Sequence, residues 1–123
     1  MKTAAELVGE AKAAVTNLSP AEVAAEVEQG AVLVDLRESE ETAALRIPGA
    51  VHVPRGMLEF RADPSSPYHH EQLDPGKRVI LHCAGGGRSA LAAKTLAEMG
   101  YTNVAHLDGG IARWREEGFD VES

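Results

Sequence analysis

The stretch 78-RVILHCAGGGRSALAAKTLAEMG-100 decides the fold. Its opening residues place Val79, Ile80 and Leu81 in succession, with none of the alternation of a half-solvated strand, so Arg78 to His82 reads as a strand buried on both faces. Cys83 ends that strand, three glycines interrupt the chain, and Arg88 to Met99 is a helix-forming run stopped by Gly100. A strand, a glycine loop and a helix in that order are the building unit of a parallel sheet. Open parallel sheets bind ligands beyond the carboxyl ends of their strands, and Cys83 falls at such an end.

Working outward, the same alternation continues in both directions. Downstream, 102-TNVAHL-107 reads as a strand, Gly109-Gly110 as a turn and 111-IARWREEG-118 as a helix with Trp114 in the core. Upstream, 31-AVLVDL-36 is a second doubly buried strand, the polar RESEET that follows suits a short surface helix, and Ile47-Pro48-Gly49 is a turn into 50-AVHVP-54. A helix is expected over 55–61. The segment 62-ADPSSPYHHEQLDPG-76 contains three prolines and reads as a long surface loop, a length at which loops often serve as lids, with His69 and His70 as surface residues. Asn17-Leu18 ends another strand, and Ser19 caps a helix with Pro20 at its first position, Glu22 completing the capping box and Gly30 stopping it. Residues 1–15 form an Ala-rich N-terminal helical extension ahead of a domain over 16–123. The pattern predicts an α/β fold with right-handed crossovers and a parallel sheet covered by helices on both faces.

Composition narrows the function classes. One domain fits the 123 residues, and with 44% hydrophobic but only 4% aromatic residues the core must be built from Val, Leu, Ile and Ala. The net charge of -7 opposes binding to nucleic acid and to acidic membranes, so an anionic substrate needs a local positive pocket. No run reaches the roughly 20 apolar residues of a membrane span, and Glu6, Glu10 and Lys12 interrupt any secretory core, so a cytoplasmic location is expected. The single cysteine, Cys83, excludes an intramolecular disulfide and a C-x-x-C pair. His52, His69, His70, His82 and His106 lack the spacing and the companion cysteines of a metal site, so no metal is expected.

The candidate site is the loop Cys83-Ala84-Gly85-Gly86-Gly87-Arg88-Ser89. Small residues let the backbone wrap closely around a point, and the first amides of the following helix face inward, which makes the loop an anion cradle. That helix end and the Arg88 guanidinium both favour thiolate over thiol, which marks Cys83 as a nucleophile. A lone cysteine is commonly just a small buried hydrophobe. Three consecutive glycines argue otherwise, because they cost backbone entropy and add nothing to packing unless a positive φ or a close approach requires them. His82 is adjacent to Cys83 but points the other way on a strand, so it is expected to support the loop rather than act as its base. Asp35 and Arg37 end an earlier parallel strand and are supporting candidates for the same pocket, with Asp35 as an anchor for Arg88. A nucleotide-binding P-loop requires Gly-Lys-Ser/Thr, and Gly87-Arg88-Ser89 does not meet it.

These motifs resemble the rhodanese-like family of single-domain sulfurtransferases over about residues 16–118. Val34-Asp35-Leu36-Arg37-Glu38 resembles the family's Asp-x-Arg-Glu strand end, and Ile47-Pro48-Gly49-Ala50 with Pro54 resembles its Ile-Pro-Gly-Ala turn. Cys83 to Ser89 resembles its Cys-x-x-Gly-x-Arg-Ser loop, and Asp108-Gly109-Gly110 with Trp114 its Gly-Gly-x-x-x-Trp signature. The resemblance implies a five-stranded parallel sheet and a persulfide mechanism in which Cys83 carries sulfur. Leu45-Arg46 stands where the family often has Gly-His, and the loop carries no base other than Arg88.

On this reading Cys83 takes a sulfane sulfur from a small anionic donor, thiosulfate or a persulfide, and passes it to an external acceptor, cyanide or a thiol. Ala84, Gly85, Gly86, Gly87, Arg88 and Ser89 bind the donor, and neither an organic cofactor nor a metal is implied. Two other readings stand beside it. A phosphatase or arsenate reductase on a related scaffold uses a Cys-x5-Arg loop, one residue longer than this one. A non-catalytic rhodanese-like module would present a surface to a partner.

Overall fold

The structure is a computed structural model that describes Met1–Ser123. Its centre is one parallel sheet of β1 (Thr16–Leu18), β2 (Val32–Asp35), β3 (Val51–His52), β4 (Val79–His82) and β5 (Val104–Leu107), in the order β1-β5-β4-β2-β3. Around it run α1 (Ala4–Ala14), α2 (Pro20–Glu28), α3 (Ser39–Ala44), α4 (Leu58–Ala62), α5 (Gly87–Glu98) and α6 (Gly110–Glu116). The capping box forms as expected: the Glu22 amide donates to the Ser19 hydroxyl and the Ser19 amide to the Glu22 carboxylate. No helix is long and apolar enough to cross a membrane.

Alternation along the strands divides the core in two. Val34, Val79 and Leu81 face Leu58 and Ala62 of α4 and Ala92, Ala93 and Leu96 of α5, whereas Leu33, Ile80, Ala105 and Leu107 face Val23 of α2 and Ile111 and Trp114 of α6. Both faces of the central strands are therefore dry, which is why their sequences read as unbroken apolar runs. Trp114 is 6% exposed, packs its ring 4.9 Å from that of Phe119 and donates its indole N–H to the Asp120 carbonyl.

The segment 62–76 is a loop, but it is not a lid. Leu73 is fully buried in the α4/α5 core, the Tyr101 hydroxyl donates to the Ala62 carbonyl at 2.7 Å, and the Thr102 amide donates to Pro75. These ties hold the loop at the N-terminal ends of β4 and β5, the end of the sheet opposite Cys83. His69 and His70 turn back onto the loop itself, through the Leu73 carbonyl and the Gln72 amide. Arg46, in the Leu45-Arg46 pair that departs from the family pattern, clamps the C-terminus: it exchanges two backbone hydrogen bonds of 2.8 Å with Glu122, and the side chains pair at 3.0 Å.

Candidate active site

Cys83 is the first residue past β4, and the chain curls back over it. The amides of Gly86 and Ser89 approach Sγ at 3.2 and 3.4 Å, and Sγ lies 3.6 Å from the Ser89 hydroxyl. Cys83 is 1% exposed, and Gly85 is the exposed side of the loop. Gly86 adopts φ 104, the left-handed conformation that favours glycine, and a Cβ there would press on the Gly109 amide. Of the three glycines only Gly86 has a positive φ, and no close approach of the protein itself requires the other two. A Cβ on Gly85 meets open space, and one on Gly87 reaches only ordinary contact with Val8 of α1.

The loop is braced from α6. The Ile111 amide donates to the Cys83 carbonyl at 2.9 Å and the Ala112 amide to Ala84 at 3.2 Å. This close approach explains Gly110, where a Cβ would run into the Ala84 carbonyl.

Arg88 does not pair with Asp35. It forms a two-pronged pair with Glu41 of α3, at 2.8 and 3.0 Å, and its hydrogen bonds hold the Glu41 carboxyl at about 2. Both side chains are about a third exposed, so the pair orients Arg88 more than it stabilises the fold. Asp35 and Arg37, the supporting candidates at the end of β2, are buried at 1% and 4% exposure and grip each other through Nε–Oδ1 and Nη2–Oδ2 at 3.1 and 2.9 Å. Burial pushes the Asp35 carboxyl up, but the Arg37 hydrogen bonds, with smaller help from charge, leave it below the usual range. Arg37 also donates to the Leu45 carbonyl at 2.6 Å, and Thr42 donates to Asp35 at 3.1 Å. The buried pair thus fixes α3, and α3 presents Glu41 to Arg88. The sequence reading missed Glu41, since nothing in the acidic run of Glu38, Glu40 and Glu41 singles it out.

A second group lies on the opposite face. Ser89 Oγ is 2.8 Å from His106 Nδ1, and His106 Nε2 is 2.7 Å from Asn17 Oδ1, with Ser89 and His106 fully buried. Asn17 and His106 are register partners on β1 and β5. Neither was singled out as a site residue, and the available signal was their pairing once those two strands are placed side by side. Burial holds the His106 imidazole below its ordinary value, toward the neutral form. His82 points away from Sγ, as expected: its Nε2 has no hydrogen-bond partner and sits 3.7 Å from Asp35 Oδ2. The one pronounced cavity, about 190 Å³, lies elsewhere, against Val27, Leu33, Ile47 and Trp114, and includes no residue of the Cys83 loop.

A family model described as "Rhodanese-like domain" matches residues 19–117. Thiosulfate sulfurtransferase GlpE of Pseudomonas savastanoi pv. phaseolicola is 32% identical over 99 residues, which cover 80% of this chain and 85% of that protein. A solved protein of unknown function from Rhodopseudomonas palustris, described as a possible tyrosine phosphatase, is 39% identical with a TM-score of 0.92 and covers 99% of this chain and 96% of that one. Other relatives are longer: the chain spans 20% of adenylyltransferase and sulfurtransferase UBA4 of Meyerozyma guilliermondii, at 34% identity over 70% of this chain, and 40% of the putative sulfur carrier protein YrkF of Bacillus subtilis, at 33% over 67%.

Proposed function

The chain belongs to the rhodanese-like domain family, and on that premise we propose that it is a sulfurtransferase that carries sulfur on Cys83 as a persulfide. The observation that carries this reading is the pair of amides, Gly86 and Ser89, that donate to Sγ at 3.2 and 3.4 Å. Such donors lower the energy of a sulfur anion at that point, and being fixed in place they need no rearrangement when it forms. The Cys83 thiolate attacks the outer sulfur of a sulfane donor such as thiosulfate or a persulfide. With thiosulfate, a Sγ–S bond forms, the donor's S–S bond breaks and its electron pair leaves on sulfite. A thiol or cyanide then attacks the terminal sulfur, and the pair of the Sγ–S bond returns to Sγ. The amides of Ala84, Gly85, Gly87 and Arg88 find no acceptor within the protein and are the groups offered to the terminal sulfur anion. Arg88, held by Glu41, sets the charge at the rim. The net charge of -7 disfavours nucleic acid as a partner, and a small anion has to be admitted by the local donors of the loop.

The description attached to the Rhodopseudomonas palustris structure raises a phosphatase as the second reading. Two features weigh against it. Four residues separate Cys83 from Arg88, a loop that closes on one sulfur atom more readily than on a phosphoryl group, and both prongs of Arg88 are engaged by Glu41. The deciding experiment treats the purified protein with thiosulfate, or with a small-molecule persulfide, and follows its intact mass. The expected result is a gain of one sulfur atom on Cys83, discharged by cyanide with release of thiocyanate. No gain from either donor, or faster hydrolysis of an aryl phosphate than transfer of sulfur, overturns the proposal.

A further inference from the structure

The hydrogen bonds around His106 fix where its protons are. Asn17 Nδ2 donates to the carbonyls of Lys12 and Val15 at 2.9 and 3.1 Å, so the atom it turns to His106 is the acceptor Oδ1. His106 Nε2 must therefore carry a proton. A neutral imidazole then has a lone pair on Nδ1, and the Ser89 hydroxyl, 2.8 Å away, donates to it in preference to the more distant Gly86 carbonyl at 3.3 Å. With its own proton turned to His106, Ser89 Oγ offers a lone pair to Cys83, whose S–H donates to it at 3.6 Å. Every group in the chain Cys83, Ser89, His106 and Asn17 is thus oriented in one direction.

We propose that His106 is a positioning residue that governs the charge on Cys83 through Ser89, accepting the proton that Cys83 releases. The proposal rests on the reading of Cys83 as a nucleophile. The S–H bond of Cys83 breaks with its electron pair left on Sγ, and that proton binds Ser89 Oγ as the Ser89 hydroxyl proton binds Nδ1. One proton has moved from Sγ to Nδ1, and Ser89 now donates to the thiolate it formerly faced as an acceptor. The imidazolium keeps its N–H to Asn17, and no net charge has entered the interior, which removes the main objection to a charged histidine there. The charged groups facing His106 are Asp108, just after β5, and Lys12 of α1, which pair at 3.5 Å.

A purely structural role for the chain would tie β1, β5 and α5 together and nothing more. His106→Gln separates the two, because a glutamine oxygen accepts from Ser89 but takes up no proton. Iodoacetamide alkylation of Cys83 is to be followed against pH in the wild type, in His106→Gln and in Ser89→Ala, alongside the separate rates of persulfide formation and discharge. An ordinary thiol is already a few per cent ionised at neutral pH, so the loss is limited to about 10- to 100-fold. That loss is expected in alkylation and in persulfide formation near neutral pH, vanishing in alkali, where hydroxide removes the proton. Discharge of the persulfide, in which Sγ leaves as the thiolate and no proton has to be removed from it, is slowed less than formation, and the double variant is no slower than either single one. A wild-type pH profile in His106→Gln overturns the proposal, as does equal slowing of both half-reactions. If His106→Gln does not fold, His106→Asn with Ser89→Ala provides the same comparison. Because alkylation does not depend on sulfur transfer, a shifted alkylation profile without persulfide formation leaves this proposal standing and removes the sulfurtransferase reading.

Discussion

Two buried histidines flank Cys83 on opposite faces of the sheet, and they are wired differently. His82 adjoins Cys83 in sequence, yet its Nδ1 sits 3.3 Å from the Cys83 carbonyl and its Nε2 has no partner. His106 is remote in sequence, yet both ring nitrogens are engaged and one leads through Ser89 to Sγ. The cause is strand geometry. Successive side chains face opposite ways, so His82 shares the α2/α6 side with Asp35, while His106 shares the α5 side with Ser89. Neighbours in the chain are the wrong place to look for partners in a sheet, and the same face of the next strand is the right one. The His82 side is expected to govern stability and the His106 side to govern rate.

The largest effect is expected where both sides meet. Cys83→Ala should reduce thiocyanate formation to the background rate while circular dichroism keeps the wild-type helix and strand signature, since the residue is a small group at a strand end. Substantial residual transfer would show that the sulfur is carried elsewhere, and neither face would then border the chemistry.

The comparison breaks more cleanly at Asp35. Removing it in Asp35→Ala leaves the Arg37 guanidinium buried without its carboxylate, and breaking a buried pair by deleting one partner costs about 3–5 kcal/mol. Urea unfolding should show that loss, because the pair also holds α3 through Leu45 and Thr42. A cost below about 1 kcal/mol, the range of exposed pairs, would mean that Asp35 and Arg37 are solvated and do not fix α3.

Much of this was legible because the sequence wrote it locally. The β4 run of Val79, Ile80 and Leu81, the capping box at Ser19 and Glu22 and the placement of Cys83 at a strand end all depend on residues within a few positions of one another. What escaped depends on contacts between distant segments. Arg88 pairs with Glu41 while Asp35 is held by Arg37, a division of partners that no spacing reveals. His106 and Asn17 became partners only through the β1-β5 register. Arg46 gained its role from Glu122, at the far end of the chain. The loop 62–76 was recognisable as a loop, but its position depended on where Leu73 is buried and on the hydrogen bond from Tyr101 to Ala62.

The smallest effect distinguishes the histidines by pH. Burial lowers both imidazoles from the ordinary 6.5, so below that value the unfolded chain binds protons that the folded chain refuses. The stability they contribute is complete above pH 6.5 and is lost as pH falls below it, by at most about 1.4 kcal/mol per pH unit for each histidine while it stays neutral in the fold. Glu41 and Asp35, whose carboxyls are lowered, lose their contribution in a separate window beginning near their ordinary values of 4.5 and 3.8. Urea unfolding between pH 7.5 and 5.5 therefore reads the histidines alone. His82→Leu should flatten that slope at little cost at pH 7.5, because Nε2 already lacks a partner and the Cys83 carbonyl that Nδ1 faces keeps its bond from the Ile111 amide. His106→Leu should flatten it too, but at a cost of about 1–3 kcal/mol at every pH, because Ser89 and Asn17 lose their partner. Equal costs for the two variants at pH 7.5 would mean that the hydrogen bonds of His106 contribute nothing beyond its packing, and the contrast between the two faces would reduce to volume.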